Sequence, residues 1–296
     1  KRCIEKFGYT PEHNSAYFFN FREPSERNIF LKSDDGYGVF AVYNVKTALV
    51  FMVSEALAPR EKQVEVLREA IDTCFSKLAV KKFYVQQDEA LKVDTLNSFR
   101  GSGYRALRPL FVFYWPVFDM EKWHGDDMTG DDWKKLRNIR NRFYREHSVE
   151  VVDSRTVDKA ALHRIVDEWT RYRKLVWSVR QKSDRIYFQQ YLNLIDSGFE
   201  DTTLAKTLIV DEVPSTITAG WEIPGSQGNY YSAIGICNYR YKNIGEIANL
   251  DDLYRLKSIG YRFVDFGGSQ KSVLRFKLKF GPSFVYITHT YAFMRN

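Results

Sequence analysis

The chain has 296 residues, 44% apolar and 27% charged, enough apolar content for two cores and too much for a disordered chain. Its formal charge of +7 favours anionic partners (a phosphorylated cofactor, RNA or a phospholipid surface) without choosing among them. The longest apolar runs, Ala48 to Val53 and Leu110 to Phe118, fall well short of the roughly 20 residues of a membrane helix.

Read in chain order, Ala16 to Phe21, Asn28 to Leu31, Gly38 to Tyr43 and Ala48 to Ser54 have the composition of short strands separated by turns such as Asp34-Asp35-Gly36. Pro59 opens a helix from Arg60 to Leu78, with an apolar stripe of Val64, Leu67, Ile71, Cys74, Phe75 and Leu78. A strand at Lys82 to Gln86, a helix at Glu89 to Phe99 and a long strand at Leu107 to Val117 complete the first half. Residues 121–130 read as a linker, dividing the chain into domains 1–120 and 131–296. Asp131 or Thr129 is placed to cap the next helix, Asp132 to His147.

The second half continues with a strand at Val149 to Val152 and helices at Asp158 to Val176 and Asp184 to Ser197. Strands follow at Leu204 to Asp211, Ser215 to Glu222 and Asn229 to Gly235. A helix at Gly245 to Ile259, a strand at Arg262 to Phe266, a helix at Gln270 to Phe280 and a strand at Ser283 to Ala292 close the chain. The stretches 38–117 and 204–292 share one order: strands, helix, short strand, short helix, long strand. That order is the one of the acetyltransferase (GNAT) fold, so the expected class is α/β, two tandem GNAT-like domains.

Three clusters in the second half are candidates for chemistry. Lys242, Gly245 and Asn249 lie where a strand gives way to a helix, whose free N–H groups and dipole suit a phosphate or carboxylate. Glu246 and Ile247 depart from the GNAT pyrophosphate loop, the first by its charge and the second by its size. Gly267 and Gly268 permit positive φ and close ligand approach, and Ser269 can cap the helix that follows. On that helix Phe276 and Phe280 share a face, and Lys277 emerges beside them. Tyr230 and Tyr231 alternate along a strand, so one of them faces the cleft. A basic helix carrying Lys134, Arg137, Arg140 and Arg142 is a candidate RNA contact.

Asp265-Phe266-Gly267-Gly268-Ser269, followed by Phe276-Lys277-Leu278-Lys279-Phe280-Gly281-Pro282, resembles the C-terminal signature of the family that contains the catalytic domain of phosphatidylglycerol lysyltransferase. A similar Phe-Lys…Phe-Gly ending occurs in the Fem peptidoglycan aminoacyltransferases. The helix from Gly130 to His147 and the segment Gly245 to Leu250 are also similar to the former family.

The resemblance implies transfer of an acyl or aminoacyl group to an amine or hydroxyl; the departures at Glu246 and Ile247 keep open the alternative of a non-catalytic ligand-binding module of the same fold. The implied donor is aminoacyl-tRNA or acyl-CoA, with no tightly bound cofactor, and the implied acceptor is a small molecule or a lipid headgroup. Lys277 then meets the oxyanion or a donor phosphate, and Glu222 is the candidate base. Trp221, Tyr230, Tyr231 and Arg275 are candidate substrate contacts; Lys242, Gly245, Asn249, Gly267, Gly268 and Ser269 are candidate donor contacts. Cys3, Cys74 and Cys237 are far apart and the histidines show no ligand spacing, so no disulfide or metal site is expected and the expected compartment is the cytoplasm.

Overall fold

The computed structural model describes residues 1–20, 25–177 and 183–296. Two short helices come first, α1 (Arg2–Phe7) and α2 (Ser15–Asn20), followed by a meander of β1 (Glu26–Lys32), β2 (Gly38–Asn44) and β3 (Leu49–Met52). A single 3₁₀ turn, Arg60–Lys62, leads into α3 (Gln63–Lys77); β4 (Lys82–Asp88), α4 (Glu89–Ser98), β5 (Tyr104–Ala106) and β6 (Phe111–Asp119) follow.

The second half begins with α5 (Lys134–Glu146), β7 (Val149–Asp153), α6 (Lys159–Trp177) and α7 (Ser183–Asp196). Then come β8 (Leu204–Val210), β9 (Val213–Pro214), β10 (Thr216–Glu222) and β11 (Asn229–Cys237). The chain ends with α8 (Ile244–Ile259), β12 (Phe263–Asp265), α9 (Lys271–Lys277) with a 3₁₀ extension over Leu278–Phe280, and β13 (Phe284–Arg295).

Three local expectations are corrected. The stretch expected as a strand from Ala16 is helix α2: the Asn14 Oδ1 accepts from the Tyr17 N–H at 2.9 Å, and the turn buries Ala16 and Phe18 on one side. Phe21 lies outside the described residues. Helix α5 starts without a side-chain cap, because Thr129 bonds Asp127 and Asp131 offers its backbone carbonyl to Lys134 instead. The strand expected from Leu107 begins at Phe111, since residues 104–106 pair separately with the end of β13.

Among the described residues thirteen strands join one mixed sheet, ordered β1-β2-β3-β4-β13-β6-β12-β11-β10-β8-β7, with β5 beside β13 and β9 beside β8. The middle pair is antiparallel, β13 with β6. Moving outward from it in either direction, the chain meets one antiparallel pairing (β13 with β4, β6 with β12) and then one parallel pairing (β4 with β3, β12 with β11). Antiparallel strands complete each wing. The pairing scheme is therefore two-fold pseudo-symmetric, and the halves exchange strands. β6, from the first half, lies beside β12; β13, the end of the chain, lies beside β4.

Helices cover the outer parts of this sheet. α3 packs on β2 to β4, with Tyr291 and Phe293 of β13 buried in the same cluster. α8, with Leu136 of α5, packs on Phe118, Tyr230 and Val264, which lie on one face of β6, β11 and β12. On the middle strands the opposite face carries the polar groups described next.

Candidate active site at the centre of the sheet

Residues directly opposite one another on paired strands share a face. The register pairs Gln86 with Thr290, Tyr286 with Trp115, Val117 with Asp265, Asp265 with Tyr231, and Tyr231 with Trp221. One face of the central strands therefore carries Gln86, Thr290, Trp115, Tyr286, Asp265, Tyr231 and Trp221 in a band across the pseudo-two-fold. The aromatic members form their own cluster: Tyr286 stacks on Trp115 with centroids 5.5 Å apart, and Tyr231 meets Trp221 edge to face at 5.2 Å.

Asp265 ends β12 and is buried. Its carboxylate accepts the Gly267 N–H at 2.7 Å and the Tyr286 hydroxyl at 2.8 Å. Burial pushes its proton affinity up to about 6, against the pull of those two donors and of the nearby Lys277. Lys277 reaches back from the end of α9, its ammonium donating to the carbonyls of Phe266 and, at 3.1 Å, Gly267. Burial of that ammonium lowers its pKa to about 8, with the Asp265 charge opposing. The inward direction of this ammonium is the one expected of a lysine emerging beside the Phe276–Phe280 stripe.

The segment 8–14 crosses this face and adds groups that have no counterpart in the expected site. The Pro11 carbonyl accepts the Trp221 indole N–H at 2.7 Å. The His13 Nδ1 accepts the N–H groups of Tyr9 and Thr10, so its Nε2 carries the proton and donates to the Glu55 carbonyl at 2.9 Å. Burial lowers the His13 pKa to about 4 and holds the ring neutral. Between these anchors stands Glu12, whose carboxyl is pushed up to about 8 by burial and then by the charges of Glu55 and Asp265. Glu55 is itself raised by burial, and accepts the Tyr9 hydroxyl at 2.6 Å. A lone Glu in Thr10-Pro11-Glu12-His13 gives no signal of this in the sequence. Asp265 stood in the sequence only as the first residue of the Asp-Phe-Gly-Gly motif, with no role expected of its carboxylate.

The other expected site residues divide between this centre and places away from it. Trp221 and Tyr231 belong to the central band, whereas Tyr230 is on the opposite face against Tyr261. Glu222 pairs with Tyr230, so it shares that opposite face, accepts the Tyr261 hydroxyl at 3.1 Å and does not meet Lys277. Gly267 and Gly268 carry the chain close to aromatic rings: an added Cβ would lie 3.2 Å from the Tyr231 ring and 2.8 Å from the Trp115 ring. Ser269 does not cap α9, whose N-cap is Gln270. Instead its backbone bridges Tyr114 in both directions and its hydroxyl bonds the Gly267 carbonyl.

At the start of α8, Gly245 faces the Phe276 ring and Asn249 donates its amide to the Gly245 carbonyl. Lys242 and Arg275 are exposed. Glu246 pairs with Lys279 at 2.9 Å in the first turn of α8, so the helix end has a carboxylate of its own. On α5, Arg137 straps the carbonyls of Met128 and Gly130, Arg140 bonds the Tyr254 hydroxyl and Arg142 pairs with Glu146; Lys134 is exposed. Among the described residues no group of His, Cys, Asp or Glu could hold a metal ion, and no helix is long and apolar enough to cross a membrane.

A mixed sheet with a parallel pair in each wing, two-fold pseudo-symmetric and with exchanged strands, is the tandem GNAT architecture. Among solved structures the chain is similar to a C-terminal domain assigned to a lysylphosphatidylglycerol synthetase from Agrobacterium fabrum: TM-score 0.65, 13% identity, 98% of this chain and 89% of that one covered. L-PGS from Bacillus licheniformis gives a TM-score of 0.66 at 15% identity, covering 98% and 89%. A tandem GNAT protein from the clavulanic acid biosynthesis pathway gives 0.52 at 9%, covering 93% and 85%. No protein-family profile and no curated protein matches the sequence. At these identities the likeness establishes the fold, and the chemistry rests on the residues.

Proposed function

We propose that the protein is an acyltransferase that moves an aminoacyl group from charged tRNA to an amine or hydroxyl acceptor at the centre of its sheet. The observation that carries this reading is the Asp265–Lys277–Tyr286 cluster: an ammonium, a carboxylate and a phenol brought together beside an aromatic wall, with both charged groups shifted towards neutral pH by burial. Acyl transfer needs a positive group at the developing oxyanion and a site for the proton released by the nucleophile. Lys277 is suited to the first role. The carbonyls of Phe266 and Gly267 hold that ammonium in place, and the charge of Asp265, itself anchored by Tyr286 and Gly267, favours it.

The closed first turn of α8 supports an ester donor over a pyrophosphate-bearing one, because Glu246 and its partner Lys279 occupy the helix end where such a group would bind. An acyl-CoA donor is the second reading, favoured by the entry of β11 into α8 through the left-handed Asn243. The similarity to a domain assigned to a lysylphosphatidylglycerol synthetase supports a lipid headgroup as one candidate acceptor, and a cytoplasmic site of action is in keeping with a tRNA donor. The division into domains 1–120 and 131–296 around linker 121–130 belongs to the same proposal.

The test incubates purified protein with labelled aminoacyl-tRNA or labelled acetyl-CoA and a mixture of small amines and phosphatidylglycerol vesicles. Label passing from tRNA into a product, with a steep fall as salt is raised, is the expected result. Transfer from acetyl-CoA alone selects the second reading, and no transfer from either donor refutes both.

A further inference from the structure

Away from the central band, a cavity of about 510 Å³ opens to solvent between the end of α1 and the start of α3. Small-molecule sites commonly measure about 300–1,000 Å³, so its size is in range. Phe7 and Tyr9 wall one side, Ala58 and Pro59 the other, and Lys6, Arg60 and Gln63 bring the polar groups.

The walls are set by the protein's own contacts. The Gly8 N–H donates to the Ile4 carbonyl at 2.7 Å, and a Cβ on Gly8 would lie 2.7 Å from Pro224, which wedges this wall against the second half. The Tyr9 hydroxyl is fixed on Glu55 at 2.6 Å. Arg60 is spent on Asp88, which takes both of its terminal nitrogens at 3.1 and 3.2 Å.

Two groups in the cavity are left over. Gln63, the first residue of α3, is only 2% exposed. Its Nε2 donates to the Ala58 carbonyl at 3.2 Å, while its Oε1 is buried with no hydrogen-bond partner. A buried acceptor without a donor is costly, and the cavity is the side from which a donor can reach it. Lys6 is exposed, with its ammonium 4.9 Å from the centre of the Phe7 ring and no carboxylate partner among the described residues. The cavity thus holds one free cation, one orphaned acceptor, and aromatic and apolar walls between them.

We infer that this cavity binds a small aromatic carboxylate that carries an N–H donor. The carboxylate meets Lys6, the ring lies against Phe7 and Tyr9, and the N–H donates to Gln63 Oε1. A phosphorylated ligand is less well matched. Residues 54–63 contain no glycine, and the turn that leads into α3 opens at Pro59, which has no N–H, so no phosphate cradle is built there. The site lies outside the central band, and its occupant is independent of the donor and acceptor of the transfer reaction.

Isothermal titration of the full chain at pH 7 with 3- and 4-aminobenzoate, benzoate and aniline reads these contacts separately. An aminobenzoate should bind wild type saturably. Benzoate, which lacks the donor, and aniline, which lacks the charge, should each bind at least about fivefold more weakly. Lys6→Gln, at an exposed position, should bring the aminobenzoate to the level of aniline with an unchanged melting curve. Gln63→Leu should bring it to the level of benzoate; because that change also removes the bond to Ala58, the ligand series on wild type decides if the variant does not fold. Equal binding of aminobenzoate and benzoate to wild type means that water serves Gln63, and overturns the inference. Absence of saturable binding, or binding unaltered in both variants, does the same. Displacement of the aminobenzoate by acetyl-CoA, with acetyl-CoA binding itself lost in Lys6→Gln, overturns it in favour of a phosphorylated ligand.

Discussion

Lys277 and Lys279 are two residues apart and meet opposite environments. Lys277 turns inward onto the carbonyls of the Gly-Gly turn, while Lys279 is exposed, bonded to Glu246 and over the Phe276 ring. Lys277→Ala is therefore expected to lower transfer at least 100-fold, about the effect of removing one oxyanion donor, with little change in melting temperature. Lys279→Ala should change transfer less than about threefold, a surface pair being worth at most about 1 kcal/mol. Steady-state rates and thermal melts of both variants check this; equal small effects would remove Lys277 from the chemistry.

Glu12 makes a second prediction at the same scale, about stability. Its folded pKa stands near 8, above the 4.5 of an ordinary glutamate, so the folded state holds the proton more tightly than the unfolded one. Stability from this group is full below about pH 4 and is lost as pH rises through 8. Glu12→Gln should then raise the melting temperature most at pH 9, by less at pH 6, and scarcely at all at pH 4. A stabilisation equal at all three pH values would contradict the buried, proton-holding carboxyl.

At the scale of elements, the turn between β12 and α9 shows what a motif can and cannot announce. Gly267-Gly268 was legible as a place of close approach, and Gly267 does take a positive φ of 77°. What approaches, however, is the protein's own aromatic band. A methyl on Gly268 would meet the Trp115 ring at 2.8 Å, and that ring is buried and bonded to Thr288, so it has little room to yield. Gly268→Ala should cost about 1–3 kcal/mol, typical of overpacking, read as a lower denaturation midpoint with unchanged slope. The basic helix α5 carries the same lesson. Its stripe of Leu136, Ile139 and Phe143 packs inward as its period requires, yet Arg137 and Arg140 bend back onto the protein. Helical period tells which way a residue points, not how far a long side chain folds over.

At the scale of the molecule, strand exchange ties the halves together. The sheet of the first half is completed by β13, whose Tyr291 and Phe293 are fully buried in the cluster beneath α3. Each such side chain contributes roughly 1.5–3 kcal/mol when buried, and without β13 the inner edge of β4 is an open row of backbone groups. A fragment of residues 1–120 should therefore fail to fold alone, and folding should be recovered when it is co-expressed with 121–296. Circular dichroism and gel filtration of the fragment and the pair check this. A cooperative melt of 1–120 by itself would show that the exchanged strand is dispensable.

Much of this protein was determined along the chain. The order of the longer strands and helices from Asn28 onward, the repeat of that order, the inward stripe of α5 and the place of Lys277 beside Phe276 and Phe280 all follow from periodicity, turn chemistry and local spacing, which act over a few residues; the helix over Ser15–Asn20 does not. The exchange of β6 and β13 and the face shared by Asp265, Tyr231 and Trp221 were decided by tertiary structure alone. So was the arrival of Glu12 beside Asp265. The two acids are far apart in the chain, and the segment that carries Glu12 is tied to the central face by Pro11, whose carbonyl accepts from Trp221, 210 residues away. Its proton affinity is a property of burial and neighbouring charge, and neither exists until the sheet has closed.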